Sequence, residues 1–145
     1  MSKVWFFIAN PRDINNWNDT KDPNWVRNEG YIPWGIPDKS RDLDNLNKVE
    51  KEDVILCYHA FDREIVGCCR CKRMYYHKDE NDGHSNHIDI SEINFRIPIS
   101  LDKLKEGRFK FIDDYLSFPR GRSVVPVPKD DWERFKKNWI DYQKC

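Results

Sequence analysis

The stretch DVILCYHAFDREIVGCCRCKRMYYH, residues 53–77, contains two runs rich in strand-forming residues. The first run covers 53–60 and the second covers 64–77, and only the three residues FDR separate them. A link of this length joins antiparallel neighbours, so the spacing predicts a β-hairpin. The rest of the sequence has to provide partners for both strands.

Further strands are predicted on both sides of this hairpin. VWFFIAN (4–10) is a continuous apolar run that ends at a proline, which is typical of a central strand buried on both faces. INFRIPI (93–99) alternates apolar and polar residues like a half-buried strand, and SVVPV (123–127) is also strand-like. Together these runs predict a mixed, mostly antiparallel sheet that closes as a barrel or half-barrel.

Two segments near the end of the chain predict peripheral helices. Ser100 can cap a short helix that Gly107 ends. The segment 130–143 is amphipathic, and Asp130 and Glu133 have the spacing of a capping box. Strands and helices in this arrangement predict the α+β fold class.

Length and composition restrict the domain count, the partners and the compartment. A chain of 145 residues predicts a single domain over 1–145. Lys and Arg together number 25, as do Asp and Glu, so any nucleic-acid affinity must come from a local patch or pocket. No apolar run is long enough to span a bilayer. Five cysteines with no sign of secretion lead us to expect reduced thiols in a cytoplasmic protein.

Catalysis and metal binding have only weak support in the sequence. The motifs Gly-x-Ser-x-Gly, Gly-x4-Gly-Lys-Ser/Thr and His-Glu-x-x-His are absent, so we expect no enzyme. Cys69 and Cys71 share a strand face, and His84 and His87 follow, but Cys-x-Cys is not the usual zinc spacing. Small buried cysteines on a strand are the commoner outcome, so we expect no metal and no cofactor.

Trp34 stands between Pro33 and Gly35, in a stretch that resembles neither a helix nor a strand. A tryptophan in such a place is either a lid over the end of a barrel or the wall of a pocket for a planar base. Stacking on a base contributes roughly 1–3 kcal/mol. Composition leaves the two interpretations even for Trp34 and favours the lid for Trp17 and Trp25.

The segment FPRGRSVVPV (118–127) places Arg120 and Arg122 on either side of Gly121, where a strand begins. Two guanidinium groups beside a glycine could hold phosphates, because the bare backbone allows close approach. A solvated loop with one arginine in a surface ion pair is the simpler interpretation, and the residues alone favour it.

Four parts of the sequence resemble, in the same order, the EVE domain, a member of the PUA-like group related to YTH domains. They are VWFFIANP (4–11), YIPWGIPDKSRDLDNLNKVEKEDVILCYHA (31–60), REIVGCCRCKRMYY (63–76), and INFRIPISLDKLKE (93–106) followed by YLSFPRGRSVVPVPKDDWERF (115–135). The likeness spans nearly the whole chain. Two features depart from the family pattern: the turn at 51–53 lacks a glycine, and Arg-Gly-Arg-Ser replaces Arg-x-x-Arg-x-Ser.

The resemblance implies a small β-barrel with helices around it and a non-catalytic module that binds nucleic acid. Such a module would take one methylated or hydroxymethylated base of DNA or RNA, flipped out of its strand, into an aromatic pocket. Trp34 would then be a wall of the pocket, and Gly35 would give the base room to approach. Asn10 would read the edge of the base, Tyr58 would be a second wall, and Trp17 a weaker third.

The same resemblance implies which cations contact the strand and which partners the protein has. The phosphates that flank the base would be bound by Lys39, Arg41, Arg120 and Arg122. With zero net charge, we expect a shallow salt dependence that involves few phosphates. A nuclease or another effector is the implied protein partner. The alternatives are a sensor for a free nucleobase or small molecule, and a nucleic-acid-processing enzyme with an unrecognised site.

Overall fold

The computed structural model describes residues 2–9, 17 and 31–145. Its elements in chain order are β1 (Val4–Ala9), β2 (Ile32–Ile36), α1 (Leu43–Lys48), β3 (Val54–His59), β4 (Glu64–His77), β5 (Asn86–Ile90), β6 (Asn94–Ser100), α2 (Leu101–Glu106), α3 (Lys110–Ser117), β7 (Val124–Val127), α4 (Lys129–Asn138) and a final 3-10 helix (Ile140–Lys144). The predicted hairpin is confirmed: β3 and β4 pair antiparallel, with Val54 opposite Arg70 and His59 opposite Glu64.

The seven strands form one mixed sheet in the order β2-β5-β4-β3-β1-β7, and β6 also pairs with β4. Only β1 and β3 run parallel among the described pairs. The predicted α+β class with a mostly antiparallel sheet is therefore confirmed. The sheet remains open between β2 and β7 among the described strands, so of the two forms that we expected, a barrel or a half-barrel, the closed barrel is not formed.

The sheet carries a hydrophobic core on each face, and β1 contributes to both. Phe6 packs with the side chains under α2, α3 and α4 in the first core, which we call the helix-side core. Phe7, the next residue, packs with Trp17 and Trp34 in the second core. This alternation follows from the two-residue period of a strand. It explains why the whole run 4–9 is apolar.

The two predicted helices are present, but one begins differently from the prediction. Ser100 Oγ accepts a hydrogen bond from the backbone N–H of Lys103 at 3.3 Å, which confirms the predicted cap. α4 begins after Pro128 with no side-chain cap, so the capping-box prediction was wrong. The buried Asp131 carboxylate accepts instead from the N–H of Phe111 at 3.1 Å, which joins α4 to α3. No described helix is long and apolar enough to cross a membrane.

Strands β2 and β5 were not predicted from the sequence, yet they pair with each other. Ile32 lies opposite Ile90, Trp34 opposite Ile88, and Ile36 opposite Asn86. The proline inside β2 is tolerated because β2 is at the edge of the sheet, where a missing N–H leaves no neighbour unpaired. The stretch around Trp34 is therefore a strand.

The cysteines are not all reduced, in contrast to our expectation. Cys68 and Cys145 form a disulfide that links β4 to the end of the chain across a sequence separation of 77 residues. Cys57, Cys69 and Cys71 are free and buried. The expectation of five reduced thiols was therefore wrong for two of them.

Candidate functional site

A pocket of about 480 Å³ opens where β1 and β2 end. Its wall contains Ala9 from β1, Trp34 and Gly35 from β2, the loop 37–41 and the segment 120–123 before β7. We call it the Trp34 pocket. Its size lies within the range of about 300–1,000 Å³ that is usual for ligand pockets.

The Trp34 ring is held in place by two aromatic neighbours. It stacks nearly parallel to Trp17, with ring centroids 5.7 Å apart, and it packs against Phe7 at 4.5 Å. Only 3% of Trp34 is exposed. Its indole N–H is buried and has no acceptor among the described residues, although a buried donor normally has a partner. The pocket wall thus contains a rigid aromatic group whose buried donor is not satisfied by any described residue.

Gly35 is explained by the imidazole ring of His87, which lies opposite on β5. A Cβ atom at Gly35 would lie 2.6 Å from His87 Cδ2 and 2.9 Å from the carbonyl oxygen of His84. The space beside this glycine is therefore taken by a side chain of the protein. Burial lowers the pKa of His87, although the nearby carboxylates of Glu80 and Asp89 act in the opposite direction.

Three exposed cations surround the opening of the Trp34 pocket: Lys39, Arg41 and Arg120. The Arg41 guanidinium lies over the Phe118 ring, 4.4 Å from its centroid. None of the three forms an ion pair with a carboxylate among the described residues. The charged groups of all three are exposed at the edge of the pocket.

Arg122 is placed differently from these three cations. Its Nε donates to both carboxylate oxygens of Asp42 at 3.1 Å. The backbone N–H groups of Ser123 and Val124 donate to the same carboxylate at 2.6 and 3.1 Å. Asp42 is only 2% exposed, so this is a buried ion pair that joins the start of α1 to β7. The structure therefore uses the charge of Arg122 inside the fold, and sequence reasoning missed Asp42 as its partner.

Two of the other predicted pocket residues, Tyr58 and Trp17, are not among the residues that line the Trp34 pocket. Tyr58 is fully buried in the helix-side core, where its ring lies 5.0 Å from Phe6 and 5.3 Å from Tyr115. Trp17 is buried behind Trp34, and its indole N–H donates to the carbonyl oxygen of Tyr58 at 2.9 Å. Asn10 lies outside the described residues, as does Trp25.

The cysteines and histidines weighed as a zinc site are not assembled into one. No three His, Cys, Asp or Glu side chains are grouped as metal ligands in the part of the chain that the structure describes. Burial raises the pKa of the Cys71 thiol to about 12, so this thiol is protonated at neutral pH.

The sequence of the whole chain decides its family. The model of the EVE domain matches residues 3–138. The chain belongs to the EVE family. No curated protein is similar enough in sequence to count as a relative of this EVE domain.

Solved structures share the fold of this EVE domain at low sequence identity. Human THYN1 in complex with DNA containing 5-methylcytosine has a TM-score of 0.67 at 14% identity, and the match covers 94% of this chain and 97% of that one. A hypothetical protein from Leishmania major has a TM-score of 0.69 at 16% identity, covering 99% and 97%. The YTH domain of Zygosaccharomyces rouxii MRB1 in complex with N6-methyladenosine RNA has a TM-score of 0.58 at 8% identity, covering 95% and 89%. These likenesses establish a PUA-like fold.

Proposed function

We propose that this EVE domain binds DNA or RNA by taking one modified base into the Trp34 pocket, without catalysing a reaction. The observation that carries the proposal is the combination of a fixed aromatic wall with a rim of exposed cations, Lys39, Arg41 and Arg120, that form no ion pair with a described carboxylate. The relatives in fold that were solved with methylated nucleic acids support the same class of ligand.

The energies of base binding are consistent with such a pocket. Flipping a base out of its strand costs a few kcal/mol, and stacking on an aromatic ring contributes roughly 1–3 kcal/mol. Burying a methyl group adds about 0.8 kcal/mol, which corresponds to about fourfold in affinity. The buried N–H of Trp34 would gain an acceptor from the base. Asn10, which follows Ala9 of the pocket wall, remains our candidate for reading the edge of the base.

The flanking phosphates would lie against the cationic rim. Lys39, Arg41 and Arg120 remain in this role because they are exposed and unpaired among the described residues. Arg122 does not, because Asp42 neutralises it. Few phosphate contacts with zero net charge predict modest affinity and a shallow salt dependence.

The test is a calorimetric titration with short oligonucleotides, single- and double-stranded, of DNA and RNA. Each carries one 5-methylcytosine, 5-hydroxymethylcytosine or N6-methyladenine and is compared with the same unmodified strand. The variant Trp34→Phe keeps an aromatic ring in the core but removes the indole N–H. The matched control Trp139→Phe changes a tryptophan that packs against the helix-side core.

We expect one modified strand to bind at least about fourfold more tightly than its unmodified counterpart. Trp34→Phe should reduce this preference while Trp139→Phe keeps it. Equal binding of modified and unmodified strands, or binding of the free base but of no strand, would refute the proposal. The second result would indicate a nucleobase sensor.

A further inference from the structure

A second cavity, of about 890 Å³, adjoins the Trp34 pocket. Its wall is formed by the β3–β4 turn, α2, the end of α3 and the segment 119–123. The two cavities share Ile8 and three residues of the segment 120–123. A polymer seated in one cavity therefore reaches the other by crossing a single short segment.

The wall of the second cavity is strongly cationic. Arg63, Lys105 and Arg120 are exposed and line it together with Arg122, and no carboxylate is among its described lining residues. Arg63 and Lys105 form no ion pair with a described carboxylate. In a protein of zero net charge, three exposed cations in one cavity, with no carboxylate partner among the described residues, favour the binding of an anion there.

Two buried tyrosines, Tyr58 and Tyr115, line the same cavity. Tyr58 is fully buried, and its hydroxyl has no well-aligned hydrogen-bond partner among the described residues. Burial raises the pKa of Tyr58, the neighbouring Tyr115 raises it further, and the positive charge of Arg63 lowers it. The three groups therefore lie close together, and the hydroxyl is a neutral donor at physiological pH.

We propose that the second cavity binds the phosphodiester backbone next to the base that occupies the Trp34 pocket. This inference rests on the proposed function. Guanidinium, ammonium and hydroxyl donors are the groups that bind phosphate oxygens. Arg120, which lines both cavities, would lie between the base and this phosphate. Tyr58, which the family resemblance assigned to the base pocket, would thus contact the nucleic-acid backbone instead.

The test uses the double variant Arg63→Gln with Lys105→Gln, whose side chains are exposed and whose loss should leave the fold intact. The matched control is Lys129→Gln with Lys137→Gln, which removes the same charge from two exposed positions of α4 outside both cavities. The probes are single-stranded nonamers, one of DNA with a central 5-methylcytosine and one of RNA with a central N6-methyladenosine. The corresponding free nucleosides and thymidine 5′-monophosphate complete the set.

We expect the double variant to weaken binding of the better nonamer at least threefold relative to the control. The slope of log K against log salt should become shallower by about 1.4, because two phosphate contacts of a single strand are lost at about 0.7 each. Binding of the free nucleoside should not change. Tyr58→Phe, which keeps the ring in the core, should also weaken binding of the nonamer.

Three results would overturn the inference. If the wild type binds a modified nonamer but the double variant matches the control in affinity and slope, the second cavity has no role and the proposed function stands. If thymidine 5′-monophosphate binds as tightly as the nonamer and loses affinity in the double variant, the ligand is a free nucleotide. If the wild type binds no modified strand, either in the calorimetric titration above or among these nonamers, the proposed function fails and this inference fails with it.

Discussion

At Gly35 the backbone of β2 lies directly against an imidazole ring, and this contact organises one wall of the Trp34 pocket. The His87 ring occupies the position that a side chain at 35 would take, and it stacks on Tyr76 with ring centroids 5.3 Å apart. A histidine enclosed in this way is poorly hydrated, and poor hydration disfavours its charged form. Protonation of His87 would therefore disturb the packing of the pocket wall.

We predict that stability falls as the pH decreases from about 7 to about 5, in part because of His87. Its pKa in the folded protein is lowered by burial, while in the unfolded chain it has the ordinary value of about 6.5. Below that value the unfolded state binds a proton that the folded state does not bind, so the stabilisation present above pH 6.5 is lost. Urea unfolding at several pH values measures the effect.

The variant His87→Gln provides the comparison for this prediction. Glutamine does not titrate, so the decrease in unfolding free energy between pH 7 and 5 should be smaller than in the wild type. The variant starts from a lower stability because a buried ring is lost, and only the change with pH is compared. Parallel curves for the two proteins would show that His87 does not titrate differently on folding.

At the scale of elements, the connection between α1 and β7 rests on one buried carboxylate. Asp42 stands directly before α1, yet most of its hydrogen bonds are made with residues 122–124 at the start of β7. The distance in sequence is large, and no local pattern indicates the pairing. The same contact fixes the segment 120–123 that the two cavities share.

We predict that Asp42→Asn destabilises the protein by about 3–5 kcal/mol, because it leaves the half-buried Arg122 without its counter-ion. Asp44→Asn, at an exposed position of α1, is the control and should cost less than about 0.5 kcal/mol. Denaturant unfolding measures both. A loss below about 1 kcal/mol for Asp42→Asn would mean that the ion pair contributes little to the fold.

Sequence analysis predicted the strands whose own residues show a clear run or alternation of apolar side chains. β1, β3 and β4 are rich in β-formers, and the link between β3 and β4 fixes their pairing. β2 and β5 were missed because each depends on the other: β2 contains a proline and a glycine, and β5 has three polar residues among its five. The pairing of β2 with β5 can be seen only in the folded structure, where the two strands lie side by side.

Only part of the candidate site could be predicted from the sequence. Trp34 and the cations Lys39, Arg41 and Arg120 were assigned to one site only through the family resemblance, and the structure places all four around one pocket. Tyr58 packs on the opposite face of the sheet from Trp34 because of the way β3 crosses the sheet. Arg122 is neutralised by Asp42, which lies 80 positions away in the sequence. Such facts belong to the tertiary structure.

At the scale of the whole molecule, the end of the chain is fastened to the middle of the sheet. The disulfide between Cys68 and Cys145 joins the central strand β4 to the residue after the final 3-10 helix. Arg70, also on β4, donates to the carbonyl oxygen of Cys145 at 2.8 Å. Tyr142, just before this link, packs in the helix-side core. The disulfide therefore secures the C-terminal part of that core.

We predict that reducing this disulfide lowers the free energy of unfolding by about 4 kcal/mol, because the unfolded chain regains the entropy of a loop of 77 residues. Guanidinium unfolding of the wild type with and without dithiothreitol measures the loss. Cys145→Ser should match the reduced wild type and should not respond to the reductant. A wild type that is equally stable under both conditions, with both thiols alkylated in the native protein, would show that the chain folds without the bond. All five cysteines would then be reduced, as the sequence alone had led us to expect.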